Sequence, residues 1–140
     1  YQRKDESNEQ AWREALSQII PGHPVSLSSC HQELEQLVNT KFKPGITATF
    51  GGFYAPQGRT IRAATRYPEI MDQLAALNVD GETITNMEME TSGIYGLAGM
   101  LGHRAVSLNA IIANRATGEF SPKSAEIIEN MIVTALDAIV

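Results

Sequence analysis

Residues 105–113, AVSLNAIIA, form an almost unbroken apolar run of strand length. A strand with one wet face alternates apolar and polar residues, whereas a run like this suits a sheet covered on both faces. Such sheets are built from strands that alternate with helices, and the rest of the chain reads in that rhythm. Apolar positions at Trp12, Leu16, Ile19 and Ile20 predict a helix over 7–20, stopped by Pro21-Gly22-His23-Pro24. A short strand is expected at 25–29, and a helix at 32–40 with Leu34, Leu37 and Val38 on one face. Lys43-Pro44-Gly45 predicts a turn into a β-branched strand at 46–50, and the glycines and proline of 51–62 predict a loop. A helix at 68–77 and a strand at 83–87 follow, then a helix at 90–101 closed by Gly102 as C-cap. The last helix runs to 140 from Ser121-Pro122, a cap followed by proline at the first helical position. The fold class expected is α/β with a largely parallel sheet, in a single domain spanning 1–140.

A length of 140 residues is enough for one sizeable core. The net charge of −5 supplies no basic field to draw in nucleic acid or an anionic membrane. Cys30 stands alone, so an internal disulfide is excluded, which fits a reducing compartment. No apolar run approaches the roughly 20 residues of a membrane span, and a cytoplasmic location is expected. The chain does not begin with Met and its first eight residues are polar and charged, so it is expected to be part of a longer protein.

Three segments carry candidate chemistry, each at the carboxyl end of an expected strand, where open α/β sheets place their ligands. The first is Asn86-Met87-Glu88-Met89-Glu90-Thr91-Ser92. In extended backbone residues two apart share a side, so Glu88 and Glu90 can face one pocket and accept from a vicinal diol. The plainer reading is a pair of acids that stabilise a helix start. The second is Phe53-Tyr54-Ala55-Pro56-Gln57-Gly58-Arg59. The Gln57 amide can pair with the O=C–N–H edge of a base, Arg59 adds fixed donors, and Phe53 adds a flat surface; a solvated surface loop is the alternative. The third is Asn114-Arg115, at the exit of the long apolar run. Gly93, Gly96 and Gly99 recur every third residue in the helix after Glu90. Each costs about 1 kcal/mol of helix propensity. Close approach of that helix to the sheet is the expected offset, with phosphate binding at its N-terminus as the alternative.

Across most of its length, and most strongly in 53–59, 86–102 and 110–115, the chain resembles the carboxyl-terminal half of the nucleoside phosphorylase superfamily, in particular its uridine phosphorylase branch. The resemblance implies a three-layer α/β/α sandwich around a mixed, partly barrel-like sheet. It implies cleavage of the nucleoside N-glycosidic bond by inorganic phosphate, giving free base and ribose 1-phosphate, with no metal or organic cofactor. By the same resemblance Gln57 and Arg59 match the uracil-reading pair, and Phe53 the aromatic packed on the base. Glu90 matches the carboxylate that holds the ribose hydroxyls. Met89 touches the sugar, Glu88 is a second acidic position, Ile112 lines the base pocket, and Arg115 lies near the base. Asn114 stands where the purine branch has a catalytic aspartate; an amide cannot donate a proton as a carboxylic acid does, which favours a pyrimidine. A purine nucleoside phosphorylase or nucleosidase, or a nucleoside-binding partner without activity, are the alternatives. The family's phosphate site lies in glycine-rich loops of its amino-terminal half, and these residues do not match it. The implied partners are nucleoside and phosphate, together with further copies of the chain as a dimer or trimer of dimers. His23, His31 and His103 make no ligand spacing with a cysteine pair.

Overall fold

The computed structural model describes residues 6–115 and 117–139. Helix α1 (Glu6–Ile19) is followed by α2 (Gln32–Val38), strand β1 (Ile46–Thr49) and a 3-10 turn at Ala55–Gln57. Then come α3 (Ile70–Ala76), β2 (Asn78–Val79), β3 (Glu82–Glu88) and α4 (Thr91–Leu101). The chain closes with β4 (Ala113–Asn114), β5 (Glu119–Phe120) and α5 (Ser124–Ile139). The architecture is mixed α/β, with a small mixed sheet in the order β1-β3-β2 and a separate β4-β5 hairpin. The expected three-layer sandwich and barrel closure are not seen among the described residues.

β1 and β3 run parallel, with Ala48 opposite Met87 and Thr49 opposite Glu88. The register shifts between Ile46 and Thr47, leaving Thr85 without a partner across the ladder, and the Thr85 hydroxyl donates to the Ile46 carbonyl at 3.2 Å. That bulge explains Gly45: a Cβ there would lie 2.2 Å from Thr85 Oγ1. β2 and β3 form an antiparallel hairpin. Its two-residue loop is Asp80-Gly81, both at positive φ (53° and 85°), the requirement of a type I′ turn. Trp12, Val38, Ile70, Leu74 and Val79 are the buried apolar residues, with Trp12 only 2% exposed. α1 packs on β2 and α3, α3 on β3, and α2 on α5.

The helices expected at 7–20, 32–40, 68–77, 90–101 and to 140 all form, and Gly102 caps α4 at φ 72°. Ser121 does not cap α5 with Pro122 inside the helix, because the helix begins at Ser124. Residues 25–29 are extended without a ladder. So are residues 105–112, the run that most strongly predicted a strand. They are pinned from the Ala105 carbonyl to the His31 amide (2.9 Å), from the Ser107 amide to the Tyr95 hydroxyl (2.8 Å) and from the Ile112 carbonyl to the Ser121 amide (2.8 Å). A ladder needs a paired strand, and among the described residues none pairs with this segment.

Apolar surface is left open on two helices. Ile94, Leu97, Met100 and Leu101 of α4, and Ile132, Val133, Leu136 and Ile139 of α5, are exposed, Met100 by 84%. The chain exposes 9815 Å² in all, against about 7,000 Å² for a folded monomer of its size. Gly93, Gly96 and Gly99 have nothing within 4 Å of an added Cβ. α4 meets β1 at its start, where the Ser92 amide reaches Thr49, but the close approach expected at the glycines is not made by the described residues. No helix among them is long and apolar enough to cross a membrane.

Candidate functional site

The parallel pairing of β1 and β3 makes their carboxyl ends emerge side by side. Pairing continues one step past β1, with the Phe50 amide on the Glu88 carbonyl at 2.9 Å. The loop bearing Phe53, Gln57 and Arg59 leaves one strand there, and the segment bearing Met89 and Glu90 leaves the other.

Glu88 is held from several directions. Its Oε1 accepts the Thr49 hydroxyl at 2.5 Å, and its Oε2 accepts the amides of Glu90 and Thr91, each at 2.7 Å. The Thr49 oxygen in turn accepts the Ser92 amide at 3.1 Å. These are N–H groups that a helix start leaves without an intrahelical partner. The capping reading therefore holds for Glu88, and the amides that phosphate binding at this helix end would use are engaged. Burial pushes the Glu88 carboxyl up, but the hydrogen bonds from Thr49, Glu90 and Thr91 outweigh it and hold it below the ordinary value of 4.5. A carboxyl whose folded pKa is depressed stabilises the fold above its unfolded pKa and loses that contribution as pH falls through the folded value. Stability is thus expected to drop below about pH 4.5, and Glu88→Gln, which does not titrate, to flatten that acid limb of a urea-unfolding series. An unchanged limb would assign acid sensitivity to other groups.

Glu90 is different. It stands just before α4, is exposed, and its Oε2 accepts the Met89 amide at 3.2 Å. Its other oxygen carries no described hydrogen bond. Met89 is 40% exposed beside it.

Gln57 is the buried member of the second segment, 6% exposed at the end of the 3-10 turn. Gly58 follows at φ 72°, and a Cβ there would sit 3.0 Å from Ile70 Cγ2, so only glycine turns the chain here without strain. Gln57 Oε1 accepts from Arg59 at 2.7 Å and from Arg115 at 2.9 Å. Arg115 also donates to the Gln57 carbonyl at 3.3 Å. Arg59 further donates to the Phe53 carbonyl and lies over the Phe53 ring, 3.8 Å from its centroid, a cation–π contact. Tyr54 meets the edge of that ring at 5.2 Å. Burial, and then the positive charge of Arg59, hold Arg115 below the ordinary arginine value.

Gln57, Arg59 and Arg115 are therefore brought together although 58 residues separate Gln57 from Arg115. Glu88 and Glu90 stand at the neighbouring strand end. Ile112 is half-buried, its carbonyl accepting the Ser121 amide. Asn114 is exposed, and its Oδ1 accepts the Thr117 amide at 3.4 Å within the β4-β5 turn. The expected pairing of Gln57 with a base edge changes in detail: two guanidinium groups take its acceptor oxygen, which leaves the amide N–H₂ as the group to donate to a base. Sequence reasoning missed Thr49, whose only signal was its place at the end of a strand. A cleft of about 650 Å³ opens between α1, α2, the β1-β3 sheet and residues 106–111; Thr49, Thr91 and Ser92 line it, whereas Gln57, Arg59, Glu90 and Arg115 do not.

Comparison with known proteins gives a match to the phosphorylase superfamily over residues 5–139. A DeoD-type purine nucleoside phosphorylase of Psychromonas ingrahamii is 30% identical over 127 residues, covering 85% of this chain and 48% of the relative. A uridine phosphorylase of Thermococcus kodakarensis is 34% identical over 88 residues, covering 63% of this chain and 31% of the relative. The chain spans about half the length of the first and about a third of the second. No solved structure matches it.

Proposed function

This chain belongs to the phosphorylase superfamily, and we propose that within it the site belongs to an enzyme splitting a pyrimidine nucleoside, uridine in the first instance, with inorganic phosphate. The carrying observation is the convergence of Arg59 and Arg115 on Gln57 Oε1. Breaking the N1–C1′ bond leaves its electron pair on the base, and the negative charge spreads to the uracil carbonyl oxygens. Three donor groups, the Gln57 amide and two guanidiniums, suit those oxygens better in the departing anion than in the neutral nucleoside. Interactions that strengthen in the transition state are the ones that accelerate a reaction. Donors fixed beforehand by the Gln57 carbonyl and the Phe53 ring need little reorganisation at that moment.

Glu90 accepts the ribose hydroxyls, with Met89 against the sugar, while Phe53 packs on the base. A phosphate oxygen bonds to C1′, and the phosphate proton ends on the released uracil. Asn114 favours a pyrimidine, since an amide supplies no acid to protonate a purine nitrogen. A purine substrate is the second reading, favoured by the name of the Psychromonas relative, which covers more of this chain than the uridine phosphorylase does. Neighbouring copies complete one another's sites in this reading, in a cytoplasmic homo-oligomer that uses no cofactor.

The ribose assignment is tested by Glu90→Gln in the full-length protein. The amide keeps the shape and loses the charge, so uridine turnover should fall more than 2′-deoxyuridine turnover, the latter having already lost a hydroxyl. The two proteins and two substrates form a double-mutant cycle. Equal losses would reduce Glu90 to a carboxylate at a helix start.

A further inference from the structure

We propose that Glu88 is a positioning residue: with Thr49 it forms a latch that sets the backbone of residues 90–92 and so aims the Glu90 carboxylate. The proposal deepens the reading of Glu90 as the ribose acceptor and rests on it. Thr49 and Glu88 are the last residues of adjacent strands and stand opposite each other in the ladder. The sheet register therefore fixes both ends of the latch. Glu88 takes the amides of Glu90 and Thr91, and Thr49 takes that of Ser92. Three successive amides around the Glu90 Cα are thus tied to two strand ends, and the hydroxyl-to-carboxylate bond joins the two anchors.

The arrangement divides the labour of two carboxylates that share a motif. A carboxylate has about four lone-pair sites, and Glu88 commits three of them inside the protein. It has little left for a diol. Glu90 is exposed and commits only one oxygen, to the Met89 amide. Beside the latch, the Thr91 hydroxyl donates to Ser107 Oγ and the Ser107 amide donates to the Tyr95 hydroxyl, which ties the first turns of α4 to the segment after it.

A carboxamide tests this because it reproduces the latch and not the charge. In Glu88→Gln the amide oxygen can accept from Glu90 and Thr91 while the NH₂ group donates to Thr49 Oγ1, which still accepts from Ser92. Glu88→Ala keeps only the bond from the Ser92 amide to Thr49. A 1 Å misplacement of a catalytic group costs on the order of 10²-fold in rate. Glu88→Ala is therefore expected to lose about that factor in kcat for uridine, with a smaller change in KM, while Glu88→Gln retains turnover within about tenfold. Hydrogen exchange at amides 90 and 91, read without substrate, should be fast in Glu88→Ala and slow in wild type and Glu88→Gln. Should Glu88→Ala not fold, Thr49→Val, which frees the Ser92 amide alone, is expected to raise exchange at residue 92 and lower kcat. Turnover lost equally in the Gln and Ala variants, or amides 90–92 equally protected in every variant, would overturn the proposal. Absence of nucleoside turnover in wild type would instead refute the proposed function, and the exchange series would still decide the latch.

Discussion

Arg59→Ala in the full-length protein is expected to lower uridine phosphorolysis by roughly 10²–10³-fold, the loss typical of removing one donor to a developing anion. Arg59 donates to Gln57 Oε1 and covers the Phe53 ring, so the change removes a donor and frees the aromatic face together. Arg115 still holds Gln57 from the other side, which keeps the amide oriented and confines the effect to the missing guanidinium. Gln57→Ala should be at least as severe. It withdraws the acceptor that two like charges share and leaves Arg59 and Arg115 facing each other. Because all three groups meet at one oxygen, the losses should not add; the double variant should fall close to the worse single one. Steady-state assays at saturating phosphate distinguish this from a surface loop, for which turnover would be unchanged in both single variants.

Residues 1–140 expressed alone are expected to show no phosphate-dependent release of uracil. A phosphate dianion needs several fixed donors in one place, and among the described residues the first amides of α4 and every arginine but Arg62 already have a partner. The amides at the start of α4 go to Glu88 and Thr49. Arg59 and Arg115 go to Gln57, Arg104 pairs with Glu33 at 2.6 Å, Arg13 donates to the Val25 carbonyl, and Arg66 lies over the Tyr67 ring at 5.3 Å. The open apolar faces of α4 and α5 should also make the isolated piece associate. Phosphate-dependent turnover from a soluble, monomeric 1–140 would place the phosphate site among these residues.

What could be read from residues, and what could not, divides along physical lines. The helices were legible because amphipathic spacing at Trp12, Leu16, Ile70 and Leu74 reports burial directly, and Gly102 signals its left-handed cap. The β2-β3 hairpin was overlooked although Asp80-Gly81 is a strong turn signal; β2, with two residues, is too short to show alternation. The 105–112 run is apolar in the manner of a central strand, yet a strand is a property of a pair, and the pattern in one segment cannot supply the partner. The glycines of α4 pose the same problem, since no described residue comes within 4 Å of a Cβ added at Gly93, Gly96 or Gly99. At the site, Gln57, Arg59 and Arg115 could be named as candidates. Their meeting at one oxygen could not, because it depends on a contact across 58 residues. The division between Glu88 as latch and Glu90 as open carboxylate was equally hidden, because it is set by the register of β1 on β3 rather than by the motif itself.

The central claim is that this site splits a pyrimidine nucleoside with phosphate. The most direct measurement follows product formation by the full-length protein from uridine, thymidine and inosine, with and without inorganic phosphate. Uracil and ribose 1-phosphate are expected from uridine only when phosphate is present, with little or no hypoxanthine from inosine. Phosphorolysis of inosine in preference to uridine would contradict it, as would base release that does not depend on phosphate.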